Sequence, residues 1–252
     1  MTKKAIGIDI GGTGIKGALV DVSDGTLLSE RVRYETPESG SPVDIARVVV
    51  KLVNEIQGAK PRHSIGICFP AVIKDGHTMS AANISKEWIG LDARKLFTEA
   101  LGRRVSIVND ADAAGEAEVK FGAGRRRKGL VIMTTLGTGI GSALLMNGRL
   151  IPNSELGHLE IDGQDAEKLA SFAAKERDNL SFAEWAKRLQ RYYSHLDALF
   201  SPDLIIVGGG VSKQHEQFLP LLDINAEIVP AIKRNNAGIL GAATHAFNHE
   251  ND

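Results

Sequence analysis

Two segments 125 residues apart carry the same residues: Gly12-Thr13-Gly14-Ile15 lies on Gly137-Thr138-Gly139-Ile140, and Ala18-Leu19 lies on Ala143-Leu144. The flanks match as well. The apolar run Ala5 to Ile10 precedes the first loop, and Ala18 to Val22, the Asp24-Gly25 turn and Leu27-Leu28 follow it, which reads as a β-meander. In the second copy a strand is predicted from Gly129 to Thr135, a glycine loop from Leu136 to Gly141, a strand from Ser142 to Met146, and a hairpin turn at Asn147-Gly148. A strand, loop and strand recurring together indicate a duplicated lobe rather than a chance match.

Gly12-Thr13-Gly14-Ile15-Lys16-Gly17 formally fits the dinucleotide pattern G-x-G-x-x-G. That reading fails, because such a loop must open a helix whose N-terminus meets the pyrophosphate. Only Ala18 to Ser23 separates this loop from the Asp-Gly turn, and no G-x-x-x-x-G-K-[ST] occurs. A glycine hairpin remains, whose backbone N–H groups can approach phosphate oxygens without obstruction by Cβ atoms. An ordinary tight hairpin would explain the glycines, but not the repeated threonine or Asp9 in an apolar strand.

Between the copies, Ser41-Pro42-Val43-Asp44 supplies a helix start, with Val43, Ala46, Val49, Val50, Val53 and Ile56 at helical spacing. Ser64 to Phe69 reads as a strand holding the lone cysteine, Cys68, as a small buried hydrophobe. A helix over Asp92 to Leu101, a strand over Val105 to Val108 and a helix over Asp110 to Phe121 follow. Beyond the second hairpin, helices are expected from Ala166 to Ala174, from Ser181 to about Phe200, and from about Gly238 to Phe247. The apolar strand Leu204 to Val207 runs into Gly208-Gly209-Gly210.

Asp9-Ile10-Gly11-Gly12-Thr13 resembles the first phosphate motif of the sugar-kinase/Hsp70/actin superfamily. Leu136-Gly137-Thr138-Gly139-Ile140-Gly141, with Gly148 and Glu155-Leu156-Gly157-His158, resembles the signature of the ROK family of sugar kinases and repressors. Gly14 to Gly17, Asn109 to Ala114 and Pro230 to Gly238 are most similar to that family's polyphosphate glucokinase branch. The resemblance implies an α/β, two-lobed actin-like ATPase (ribonuclease H-like) fold with an interlobe active-site cleft. The small lobe is expected at 1–109, completed by the C-terminal helix at about 238–252, and the large lobe at 110–237.

The implied reaction is phosphorylation of glucose at the 6-hydroxyl from inorganic polyphosphate or ATP. Asp110 stands at a strand end and can serve as general base or merely cap the next helix; the resemblance assigns it to catalysis. It also assigns sugar binding to Asn83, Asn109, Asp110, Glu155, His158 and Glu167. Phosphate or nucleotide binding falls to Asp9, Gly11, Gly12, Thr13, Gly14, Lys16, Thr135, Gly137, Thr138, Gly139 and the adenosine-type motif Gly208, Gly209, Gly210. Asp9 is expected to contact Mg²⁺ through water, which would account for a carboxylate in an apolar strand. Two features depart from the family pattern. His158 is followed by Leu159 to Gln164 without cysteine, so no structural zinc is expected, and Gly14 stands where a lysine often follows the threonine.

A formal charge of -1 gives no global attraction to nucleic acid or to an anionic membrane. Polyphosphate would need a local basic track. Arg125-Arg126-Arg127-Lys128 is the densest cluster, equally readable as a solvated turn, with Arg103-Arg104, Lys213 and Lys233-Arg234 as further candidates. No apolar stretch reaches the roughly 18 residues of a spanning helix and no signal peptide is evident, so a cytoplasmic enzyme is expected. A homodimer is expected by analogy. The alternatives are a ROK kinase for mannose, fructose or N-acetylmannosamine, and a non-catalytic ROK repressor. The latter would place a helix-turn-helix ahead of the first strand, which here begins by about residue 4.

Overall fold

The computed structural model describes residues 3–81 and 84–249. In chain order the elements are β1 (Lys4–Ile10), β2 (Ile15–Asp21), β3 (Thr26–Leu27), β4 (Val32–Tyr34), α1 (Pro42–Glu55), β5 (Ser64–Phe69), β6 (Ile73–Lys74), β7 (His77–Thr78), α2 (Ala93–Leu101), β8 (Val105–Asn109) and α3 (Asp110–Phe121). There follow β9 (Leu130–Leu136), β10 (Ile140–Met146), β11 (Arg149–Ile151), β12 (Glu160–Ile161), β13 (Gln164–Asp165), α4 (Ala166–Ala170), α5 (Phe172–Arg177), α6 (Phe182–Phe200), β14 (Leu204–Gly208), β15 (Glu227–Pro230) and α7 (Ala237–Asn248). Two compact units result, Met1–Ala117 with Asn236–Asp252, and Glu118–Asn235. The division falls inside α3 rather than ahead of it.

In the first unit the strand order is β3-β2-β1-β5-β8, with β4 also on β2. β1 and β2 are antiparallel, whereas β1, β5 and β8 run parallel. In the second unit the order β11-β10-β9-β14-β15 repeats those directions strand for strand. β1 and β9 even share one burial alternation, in which Asp9 and Thr135 are both the half-buried sixth residue. The loop between the paired strands has four residues in the first copy and three in the second. The second strands, β2 and β10, are therefore offset by 125 and the first strands, β1 and β9, by 126.

Alternation along β1 sends Ile6, Ile8 and Ile10 into a core with Ile45, Val49 and Leu52 of α1 and Phe97 of α2. The opposite face carries Ala5, Gly7 and Asp9, and there α7 packs backbone against backbone. A Cβ on Gly7 would collide with the Ile239 carbonyl, and one on Gly66 with that of Ala242. The second core gathers Trp185, Leu189, Tyr193 and Leu196 of α6 onto Ile132, Ile205 and Val207.

Helix starts follow the side chains that the sequence offers. Ser41 caps α1, Asp92 caps α2, and Ser181 with Glu184 forms a capping box on α6. The single helix expected from Ala166 to Ala174 is two. Ser171 is extended (ψ 160°) and its side chain caps α5 by accepting from the Ala174 N–H. Asn147 (φ 51°) and Gly148 (φ 79°) make the β10–β11 turn, both left-handed as a type I′ hairpin requires.

Candidate active site

In the first unit the candidate residues gather where β1, β5 and β8 end, the edge at which parallel sheets of α/β proteins bind ligands. Asp9 lies opposite Lys16 in the β1–β2 register, and Lys16 Nζ donates to Asp9 Oδ2 at 3.3 Å. Its other oxygen, Oδ1, accepts from the Cys68 thiol at 3.5 Å. Burial, then Asp9, then Asp110 push the Cys68 thiol up, so it stays protonated and able to donate. The first turn of α7 closes on the same carboxylate: a Cβ on Gly238 would lie 2.8 Å from Asp9 Cγ and 3.0 Å from Cys68 Sγ. The electropositive end of α7 thus adjoins Asp9. The sequence pointed to Asp9 and Lys16 but to neither Cys68 nor Gly238 as their neighbours.

The first glycine loop is a closed hairpin. The Gly11 N–H donates to the Gly14 carbonyl at 3.0 Å, and the Thr36 hydroxyl donates to the Gly11 carbonyl at 2.5 Å. Arg33 of β4 stands opposite Lys16 in register, and its guanidinium borders Gly14, 3.2 Å from where a Cβ would sit. Arg33 is a second cation at this loop. Nothing in its own sequence context marked it, because its position depends on the short strand β4 pairing with β2.

Asn109 is buried at the end of β8. Its Oδ1 accepts from the Ala111 and Asp112 N–H groups at 2.8 and 3.1 Å, and its Nδ2 donates to the Ala71 carbonyl at 3.1 Å. The capping role open to Asp110 therefore belongs to Asn109. Asp110 is exposed, with Oδ1 accepting from the Ala111 N–H at 2.8 Å. Asn83 lies outside the described residues.

In the second unit the Ile140 peptide organises the site. Its N–H donates to Glu167 Oε2 at 3.0 Å, and its carbonyl lies so close to Gly157 that a Cβ there would collide. Only glycine lets the turn Leu156–His158 rest on β10. Ser142 fixes the same segment, accepting from the Leu156 N–H at 2.9 Å and donating to the Ser154 carbonyl at 2.8 Å. His158 Nδ1 then stands 3.6 Å from Asp165 Oδ2 and 4.0 Å from Glu167 Oε1. Partial desolvation raises the Glu155 carboxyl above its ordinary value, His158 opposing and Glu167 adding to the shift. Glu155, His158 and Glu167 form one polar cluster.

The second glycine loop is closed by the Gly137 N–H on the Gly139 carbonyl at 3.0 Å, and the Ala173 N–H ties the Gly137 carbonyl to α5 at 3.0 Å. Thr135 pairs in register with Gly208, so Gly208-Gly209-Gly210 begins beside this loop. The space over Gly137 and Gly210 is open.

The basic residues divide between the two ends of this sheet. Arg125 to Lys128 precede β9, about 20 Å of strand away from the glycine loop that follows it. Arg127 pairs there with Glu227, at the beginning of β15. Lys213, Lys233 and Arg234 instead follow β14 and β15 at their C-terminal ends, on the side of the glycine loop. Among the described residues no group of three or more His, Cys, Asp or Glu could hold a metal ion by itself, and no helix is long and apolar enough to cross a membrane.

The ROK family model matches residues 5–168. The chain belongs to the ROK family. Among ROK relatives, it is 43% identical over 242 residues to the polyphosphate glucokinase of Mycobacterium tuberculosis (strain CDC 1551 / Oshkosh), covering 96% of this chain and 90% of that protein. The crystal structure of the inorganic polyphosphate/ATP-glucomannokinase from Arthrobacter sp. strain KM is 51% identical and superposes with a TM-score of 0.90, covering 98% of this chain and 99% of that one. A ROK family glucokinase from Streptomyces griseus, solved in complex with glucose and AMPPNP, is 25% identical with a TM-score of 0.82 over 97% of this chain and 99% of that one. The fold is the two-lobed actin-like ATPase fold of the ROK sugar kinases.

Proposed function

We propose that this chain is a glucokinase transferring a phosphoryl group from inorganic polyphosphate, and also from ATP, to the 6-hydroxyl of glucose. The observation carrying the reading is the 51% identity over nearly the whole chain to a polyphosphate/ATP-glucomannokinase. The two Gly-Thr-Gly hairpins, each closed on itself with backbone N–H groups at a sheet's ligand-binding edge, support it.

Phosphoryl transfer needs positioning and charge stabilisation more than covalent help from the protein. In this reading Asp110 takes the proton of the 6-hydroxyl as that oxygen bonds to phosphorus and the bond to the departing phosphate breaks. Its carboxylate is exposed and is held at the start of α3 by the Ala111 N–H on Oδ1, which suits that task. Asn83, Asn109, Glu155, His158 and Glu167 hold the sugar hydroxyls. Lys16 and the N–H groups of residues 12–14 and 138–139, which the hairpin closures leave out, hold donor phosphates, with Gly208 to Gly210 lying under an adenosine.

Mg²⁺, when bound, would neutralise donor phosphate charge. A lone half-buried carboxylate at Asp9 fits an ion that keeps its waters and takes most ligands from phosphate. The reading includes a homodimer and a cytoplasmic location, on family likeness. The test is a panel of glucose, mannose, fructose and N-acetylmannosamine, each with polyphosphate and with ATP. Glucose is expected to lead with both donors and mannose to follow, as a glucomannokinase relative suggests. A lead by N-acetylmannosamine or fructose would overturn the assignment.

A further inference from the structure

The parallel order β9-β14-β15 sets three loops side by side at the ligand edge of the second sheet. The glycine hairpin follows β9, Gly208-Gly209-Gly210 closes β14, and residues 231–236 carry the chain from β15 to α7. Thr135 pairs with Gly208, and a Cβ on Gly208 would lie 3.5 Å from that of Ala231. Two strand spacings, about 10 Å, therefore separate the hairpin from the third loop, and the adenosine-type motif lies between them.

Two observations single out the third loop. The first is charge. It carries Lys233, half-buried, and Arg234, exposed, and neither side chain forms an ion pair or hydrogen bond among the described residues. Elsewhere in this unit Arg127, Arg188 and Arg191 are each closed on a carboxylate. The second is construction. Glu118 of α3, 0% exposed, accepts the Lys233 N–H through Oε1 at 2.5 Å and the Ala123 N–H through Oε2 at 2.8 Å. A Cβ on Gly122 would lie 1.9 Å from Glu118 Oε2, so glycine there admits the carboxyl group. Arg234 is left-handed (φ 46°), a conformation unfavourable to a residue with a Cβ. A slack surface turn needs neither a buried carboxyl anchor nor a disfavoured backbone.

We propose that Lys233 and Arg234 bind phosphates of an inorganic polyphosphate donor beyond those at its reacting end, and so distinguish that donor from ATP. This rests on polyphosphate being a donor. A polyphosphate held at its reacting end by the β9 hairpin and running over Gly208 to Gly210 brings negative charge to the third loop. ATP has a neutral adenosine over the same glycines, with no charge left for Lys233 and Arg234.

The test is steady-state kinetics of the full chain with long-chain polyphosphate and with ATP, comparing the wild type with the double variant Lys233→Ala/Arg234→Ala. KM for polyphosphate should rise about tenfold in the variant, while KM for ATP and for glucose stays within about twofold. Added salt should raise the polyphosphate KM of the wild type more steeply than that of the variant, which lacks the charges being screened. An unchanged polyphosphate KM, equal salt dependence, or polyphosphate and ATP KM values rising together would each overturn the proposal alone. A wild type active with ATP and inactive with polyphosphate would overturn the donor reading and the proposal with it.

Discussion

Glu167 holds the amide of Ile140: its Oε2 accepts that N–H at 3.0 Å, at the residue that closes the second glycine hairpin. One carboxylate thus joins the proposed sugar-binding cluster to the second glycine loop beside it. Glu167→Ala leaves the Ile140 N–H without its partner and frees His158 from one of its acidic neighbours. The variant should lose about 1–3 kcal/mol of stability, and its kcat/KM for glucose should fall further than unfolding explains. Thermal denaturation beside steady-state kinetics separates the two effects.

Gly238 limits how closely α7 may approach Asp9. A methyl group there would sit 2.8 Å from the Asp9 carboxyl carbon, against backbone that packing on Gly7 and Gly66 prevents from withdrawing. Gly238→Ala is therefore expected to displace Asp9 and weaken the apparent affinity for Mg²⁺, measured as rate against Mg²⁺ at saturating glucose and donor. An unchanged Mg²⁺ curve in a folded variant would remove Asp9 from the metal's surroundings.

Arg33 and the Arg125 to Lys128 cluster make opposite predictions. Arg33 borders Gly14, so Arg33→Ala should raise KM for short polyphosphate about tenfold with little change in glucose KM. Replacing Arg125, Arg126 and Lys128 by alanine should leave KM for short chains unchanged, since those residues stand at the far end of β9. Arg127 is kept because it pairs with Glu227.

Glu155 gives a pH dependence of known sign. Its folded pKa is raised above the ordinary 4.5, so the folded state binds this proton more tightly than the unfolded state. The contribution of Glu155 to stability is then greatest below 4.5 and declines as pH rises through the folded value. Glu155→Gln should remove that decline, so the melting-temperature difference, variant minus wild type, should grow more positive across that interval. A difference independent of pH would contradict the shift.

Much of this architecture is legible in the sequence, because its signals are local. Ser41-Pro42, Ser181 with Glu184, and the Gly-Thr-Gly pairs each determine their own neighbourhood. The repeated threonine led to both hairpins, and the hairpin geometry bears out the rejection of a dinucleotide turn. What the sequence hides is set by pairing over distance. β4 and β15 are short edge strands, and β15 ends in proline, so neither shows a pattern of its own, and Arg33 is hidden with β4. The offset of 126 in the first strands disappears behind the offset of 125 in the loops, which masks the match of Asp9 to Thr135. Likewise, a sequence places Arg125 to Lys128 next to a phosphate-lobe strand, but only the fold shows which end of that strand it adjoins.

The most direct measurement is glucose 6-phosphate formation from nucleotide-free polyphosphate, run side by side for the wild-type chain and Asp110→Asn. The wild type is expected to form the 6-phosphate, and Asp110→Asn to fold and bind glucose but turn over about 10²–10⁴-fold more slowly. No product from polyphosphate in the wild type, or near-full turnover in the variant, would contradict it.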